Sequence, residues 1–208
     1  MYRELLEQFF KENGVAGDTP SAPALAHFEI MLQNNSDAEN KVRRLMNQEI
    51  YKNKPEREDQ AQANMAEIDT AETCDDFIRL MRRHVDSINQ PYFVNKVLER
   101  EDEFVPELVR RLKTSLNDAF IEIATRILAR SKLDFAEEII GYFDDMRKPY
   151  AQGMALVVLG FKADESSIPW LIEKYKKLKR IYRDETYCDG GYYALLEMDS
   201  RFYPAEQK

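Results

Sequence analysis

The chain has 208 residues, with 38 acidic against 30 basic side chains, a formal charge of −8, and a composition that is 44% hydrophobic and 33% charged. Such a length can bury a substantial core, and such a composition excludes a disordered chain. The acidic balance speaks against generic nucleic-acid binding, which needs a basic surface to neutralise phosphates, and no apolar run approaches the ~20 residues of a membrane span.

In chain order, Tyr2, Leu5, Leu6, Phe9 and Phe10 fall on one helical face, and Asn13-Gly14 ends that helix. A turn is expected at Gly17-Asp18-Thr19-Pro20. Pro23 then opens a second helix carrying Leu25, Phe28, Ile30, Met31 and Leu32. Asp37 is placed to cap a third, with Val42, Leu45, Met46 and Ile50 on its apolar side. From Tyr51 to Thr73 charged residues crowd together and Met65 and Ile68 are the main large apolar side chains, so this stretch reads as a linker or a solvated helix. The expected organisation is an N-terminal helical segment over residues 1–50, a polar linker over 51–73 and a repeat region over 74–208.

The repeat region carries an apolar i, i+1, i+4 signature four times. Phe77, Ile78 and Met81 map by 31 positions onto Leu108, Val109 and Leu112, by 31 more onto Ile139, Ile140 and Phe143, and by 32 onto Leu171, Ile172 and Tyr175. A second helix follows each copy. Val94, Val97 and Leu98 correspond to Ala124, Ile127 and Leu128, then to Ala155, Val158 and Leu159, with Tyr192, Leu195 and Leu196 as the fourth set. Each unit is therefore two amphipathic helices that cannot bury their apolar faces alone, so neighbours must stack. Asn117 or Asp118 is placed to cap the helix ahead of Phe120, Pro149 to start one, and Asp164 to Ser167 to cap the helix beginning at Ile168.

Ala155 to Gly160, a short polar turn, and then Ser167-Ile168-Pro169-Trp170-Leu171-Ile172 resemble the HEAT-repeat signature, in which an Ala-rich inner helix ending in Leu-Gly leads through an Asp-containing turn into an Ile-Pro-x-Leu outer helix. Val105-Pro106-Glu107-Leu108 is similar to the same outer-helix start. The resemblance spans about Cys74 to Met198 and implies an all-α chain: an α-α superhelix, or solenoid, of about four HEAT-like hairpins preceded by the N-terminal helical segment.

Enzyme signatures are missing from the sequence: there is no Gly-rich phosphate loop, His-Glu-x-x-His, Gly-x-Ser-x-Gly or Cys-x-x-Cys. The two histidines, His27 and His84, lie on different helices, and Cys74 and Cys188 stand 114 positions apart. The acid pairs Glu137-Glu138 and Asp144-Asp145 read as solvated. No catalytic, cofactor or metal residue is assigned, and the expected compartment is a reducing cytoplasm, since Glu4 and Glu7 interrupt the start where a secretion signal needs apolar residues.

Binding residues are expected in three places. Arrays resembling HEAT repeats bind along the concave surface of their inner helices, where Tyr92, Lys96, Glu122 and Arg126 are the polar positions. Gly153 and Val157 occupy the equivalent places one unit on, so something must cover them, the N-terminal helices being favoured over a partner. The second place is the basic run Lys174–Arg183: its spacing buries Leu171, Tyr175, Leu178 and Tyr182 and leaves Lys176, Lys179, Arg180 and Arg183 outside. The third is the tyrosine-rich junction with Tyr192 and Tyr193. The leading expectation is a non-catalytic scaffold, adaptor or regulatory module binding another protein. A HEAT-like DNA-repair glycosylase and a structural homo-oligomer are the alternatives.

Overall fold

A computed structural model describes residues 1–13, 21–52, 54–83 and 85–204, and among them the secondary structure is helical throughout. Twelve α-helices follow one another: α1 (Tyr2–Glu12), α2 (Ala22–Gln33), α3 (Ser36–Tyr51), α4 (Pro55–Thr70), α5 (Cys74–Arg83), α6 (Gln90–Leu98), α7 (Glu101–Leu112), α8 (Asp118–Arg130), α9 (Ala136–Tyr142), α10 (Pro149–Lys162), α11 (Ile168–Ile181) and α12 (Gly190–Phe202). The turn expected at Gly17 to Pro20 and the residue His84 lie outside the described residues. No helix among those described is long and apolar enough to cross a membrane.

Local chemistry sets most boundaries. Asn117 Oδ1 accepts from the Phe120 amide at 2.8 Å and starts α8, while Pro149 opens α10. For α3 the cap is Asn35, whose Oδ1 accepts from the Ala38 amide at 3.2 Å, and Asp37 is instead an acid in the first turn. Asp164 precedes a 3-10 turn over Glu165–Ser167 and makes no side-chain cap. Pro106 does not start its helix: α7 begins at Glu101, where three consecutive acids favour the positive end of the helix dipole.

The eight apolar triplets fall on eight successive helices, α5 to α12, with Phe143 in the 3-10 turn directly after α9, and most of their side chains are buried. At one end Phe77, Phe93 and Phe104 are all buried, Phe77 and Phe104 meeting edge-on at 5.1 Å, a contact that contributes about 1 kcal/mol beyond its burial. Helix α8 packs on α5, α6 and α7 on one side and on α10 on the other; α10 packs in turn on α12, and α11 on α12. Bonds between helices recur at one sequence separation. Ser131 Oγ donates to Glu101, 30 residues away, and Lys162 Nζ donates to the Ser131 carbonyl, 31 residues on. Lys113 Nζ reaches Asp145 at a separation of 32, and Tyr142 Oη reaches the Val109 carbonyl at 33. These separations of 30 to 33 residues lie close to the spacing of the apolar triplets.

The stretch read as a polar linker or a solvated helix is the helix α4 over most of its length. Ala61 and Ile68 lie one above the other two turns apart and are both buried, and the buried Asn89 side chain donates to the Ala61 carbonyl at 2.8 Å. Two small contacts every seven residues are enough to dock a helix whose other faces are charged.

On α7, Glu107 accepts from Arg110 at 2.7 Å and from Arg111, and the Arg110 bonds hold its carboxyl down to about 2, well below its ordinary 4.5. A carboxyl with a depressed folded-state pKa stabilises fully above its unfolded value and loses that contribution as pH falls toward the folded one. Urea midpoints measured from pH 6 to pH 2 should therefore fall less steeply below about pH 4.5 in Glu107→Gln than in the wild type. Parallel curves would show that the Arg110 and Arg111 contacts carry no stability.

Candidate interaction surfaces

The inner helices α6, α8, α10 and α12 do not present an open face. Helix α2 lies across α8, α10 and α12, turning Pro23, Ala26, Ile30 and Gln33 inward at spacings of three and four residues. Ile30 is fully buried with Val157 of α10 and Ala129 of α8, beside Phe161. The covering expected over Val157 is thus α2. Gly153 is covered from the other end of the chain, by the Tyr187 carbonyl and Gly190.

The polar residues of this face are all engaged within the chain. Arg126, only 6% exposed, donates to Glu29 of α2, and another of its nitrogens donates to the Glu122 carbonyl at 2.9 Å. The Glu122 carboxylate accepts from Tyr150 Oη at 2.6 Å, and burial together with that bond raises the Tyr150 phenol above its ordinary value. Arg130 donates to Gln33 at 3.1 Å, and His27 stands 3.1 Å from Glu197 with Phe161 and Tyr193 against its ring. On α6, Tyr92 Oη donates to Asp69 at 2.5 Å and Lys96 donates to the Ile68 carbonyl at 2.7 Å. Lys96 therefore sits at the negative end of α4, where a cation satisfies carbonyls that the helix leaves unpaired.

The ten residues expected to bind a partner are not brought together. Tyr92 and Lys96 hold α4, Glu122 and Arg126 meet α10 and α2, and Tyr192 is buried against Phe9 and Phe10 of α1. Tyr193 is half-buried beside His27. On α11 the side chains divide. Lys174 is buried, bonded to Asp144 at 2.7 Å and lying over the Trp170 ring, and it holds the Asp144 carboxyl below its ordinary range, with Lys177 adding to the effect. Lys179 pairs with Asp189 at 2.6 Å and Lys176 with Glu12 at 3.7 Å, which leaves Arg180 and Arg183 as the exposed cations of the run without an ion pair among the described residues.

Cys188 is buried, its thiol donating toward the Tyr182 carbonyl at 3.2 Å, and burial pushes it up to about 11, so it packs as an inert small side chain. Cys74 is half-buried. Among the described residues no three His, Cys, Asp or Glu side chains converge as metal ligands do.

Apolar residues of α2 and α3 that the sequence places on helices lie on the outside of the chain. Leu25, Phe28 and Met31 are 45%, 57% and 48% exposed, and Leu45 and Met46 of α3 are 56% and 45% exposed. Leu32, Val42, Met46, Ile88 and Pro91 line a groove between α2, α3 and the start of α6, with Glu29, Glu39 and Arg43 on its edges. The signal for this was in the composition of α2, which carries apolar residues on more than one face, too many for a single contact to bury. No family model, curated protein or solved structure matches the chain.

Proposed function

We propose that this chain is a non-catalytic protein-interaction module, built as a HEAT-like stack of helical hairpins and working in the cytoplasm, that presents the α2–α3 face to a protein partner. The observation that carries the reading is the exposure of Leu25, Phe28 and Met31 on α2 and of Leu45 and Met46 on α3, five large apolar side chains left in solvent on a chain with an excess of eight negative charges. Isolated exposed apolar residues need no explanation, but Leu25, Phe28 and Met31 recur every three residues along one side of α2, next to a helix that lines an apolar groove, as a contact surface does. The HEAT-like stacking is supported by the bonds at separations of 30 to 33 residues.

The duplex-gripping alternative is disfavoured by the same geometry. A basic inner face is what it requires, yet α2 lies over that face and Glu29 neutralises Arg126. The basic residues of α11 remain a secondary candidate for an acidic partner.

The test is affinity capture with the tagged full chain from the cells that make it, beside two variants. A partner retained by the wild type and by the triple variant Lys176→Glu, Arg180→Glu, Arg183→Glu, but lost by Phe28→Glu, is the expected result. Retention by Phe28→Glu with loss in the α11 variant moves the binding surface to α11. Because Phe28 is exposed, its replacement should leave the melting temperature within about 1–2 °C of the wild type, a shift of ~0.5 kcal/mol.

A further inference from the structure

We propose that α3 is the seam of a homodimer, two copies pairing antiparallel about a two-fold axis at Leu45 with Lys41 of each copy facing Glu49 of the other. This rests on the reading of the α2–α3 face as a contact surface and names its occupant.

None of the side chains described for α3, from Ser36 to Glu49, is buried, although the helix is 16 residues long and amphipathic. Such a helix is not stable by propensity alone and normally owes its persistence to packing of its apolar face. One edge of α3 does meet the chain. Arg43 donates to the Ile88 carbonyl at 2.9 Å and pairs with Glu39, and Val42 and Met46 look into the groove against α2. The next edge round carries Lys41, Leu45 and Glu49 at i, i+4 and i+8, all exposed, and neither charge has an ion-pair partner among the described residues.

That edge is its own complement. A rise of 1.5 Å per residue places Lys41 and Glu49 about 6 Å on either side of Leu45. An antiparallel copy turned about Leu45 therefore sets each lysine against the other copy's glutamate and the two leucines against each other. A parallel copy would oppose lysine to lysine and glutamate to glutamate, so the charges also select the orientation. Arg43 fixes α3 to the turn before α6, so the seam is presented by a held helix rather than a free one. A helix pair about 24 Å long buries less than the ~1,600 Å² of a standard interface, which sets the dimer in a weak, concentration-dependent range.

The experiment is sedimentation equilibrium of the full chain in about 0.15 M salt, where the Debye length of ~8 Å screens the repulsion between two acidic copies but not a close pair. Loadings run from micromolar to millimolar. The wild type should fit a monomer–dimer equilibrium, and Lys41→Glu and Glu49→Lys should each dimerise about tenfold more weakly or less, since each puts like charges in register. An equimolar mixture of the two variants restores both pairs and should recover the dimer. Leu45→Glu, at an exposed site, should be monomeric with an unchanged circular dichroism spectrum.

A wild type that stays monomeric throughout, or a dimer indifferent to the charge variants and their mixture, overturns the proposal. The first outcome leaves the broader reading intact if Phe28→Glu still abolishes capture of a different protein. Loss of that dependence as well defeats both.

Discussion

Gly160→Ala is expected to lower the melting temperature by about 6–12 °C, although the same change in an ordinary helix is stabilising. Helix α10 runs against α12 with glycine at its closest approaches. A Cβ at Gly160 would stand 2.5 Å from the Ala194 Cα and 2.8 Å from its carbonyl oxygen, and a Cβ at Gly190 would overlap the Gly153 carbonyl. In both cases the obstacle is backbone, so no rotamer change relieves it and the two helices must part. The helix-propensity gain of alanine over glycine is about 0.8–1 kcal/mol, whereas overpacking costs about 1–3 kcal/mol and more where the neighbour cannot give. The second effect wins, by about 3 kcal/mol net where backbone is the obstacle, and each kcal/mol corresponds to about 2–4 °C for a chain of this size.

Gly141 supplies the control, because nothing lies within 4 Å of a Cβ built there. It occupies an exposed position of α9, so Gly141→Ala should raise stability by about 0.5–1 kcal/mol. Thermal unfolding of the two variants side by side separates the close approach from any general effect of removing a glycine. If Gly160→Ala is as stable as Gly141→Ala, the tight α10–α12 crossing is wrong.

How much of this was legible in the sequence differs between the two ends of the chain. Helices α5 to α12 could be read because their buried apolar positions recur at a nearly constant interval, as Phe77, Leu108, Ile139 and Leu171 do. The stretch 51–73 was harder because α4 docks through Ala61 and Ile68, and an alanine contact is invisible to a search for large apolar side chains. The polar inner-face residues were recognisable as a set, but their partners were not. Arg126 pairs with a glutamate 97 positions earlier and His27 with one 170 positions later, and no periodicity encodes a contact of that range. The outer stripe of α2 was not legible for the opposite reason. Leu25, Phe28, Ile30, Met31 and Leu32 are apolar round more than one side of the helix, and the pattern alone does not say that only Ile30 of the five is buried.

Ile30→Asp is expected to release α2 from the inner face without unfolding the helices beneath it. Ile30 is fully buried in a small cluster with Ala129 and Val157 that is separate from the main core, so its loss does not open the contacts between α8, α10 and α12. Replacing a buried isoleucine by a smaller side chain alone costs about 2–5 kcal/mol, and a carboxylate facing Val157 adds desolvation on top. Against this, α2 is held by Arg126–Glu29, Arg130–Gln33 and His27–Glu197, side-chain pairs that contribute about 1 kcal/mol each. The loss exceeds what the three pairs supply, so α2 should detach. Hydrogen exchange would then show faster exchange through Ala22–Gln33, with amides of α5 and α7 unchanged, and the circular dichroism signal should fall by about the share of one helix. A cooperative collapse of all the helices would instead show that α2 cannot leave without unfolding them. Ala26, on the same side of α2 but packed in the main core, offers a milder probe, since Ala26→Ser keeps the volume nearly constant while adding a hydroxyl to a fully buried site. If the chain binds a protein as proposed, a removable α2 gives it two surfaces, the outside of α2–α3 and the face α2 covers. The balance of about 2–5 kcal/mol at Ile30 against about 3 kcal/mol of edge pairs decides which one a partner meets.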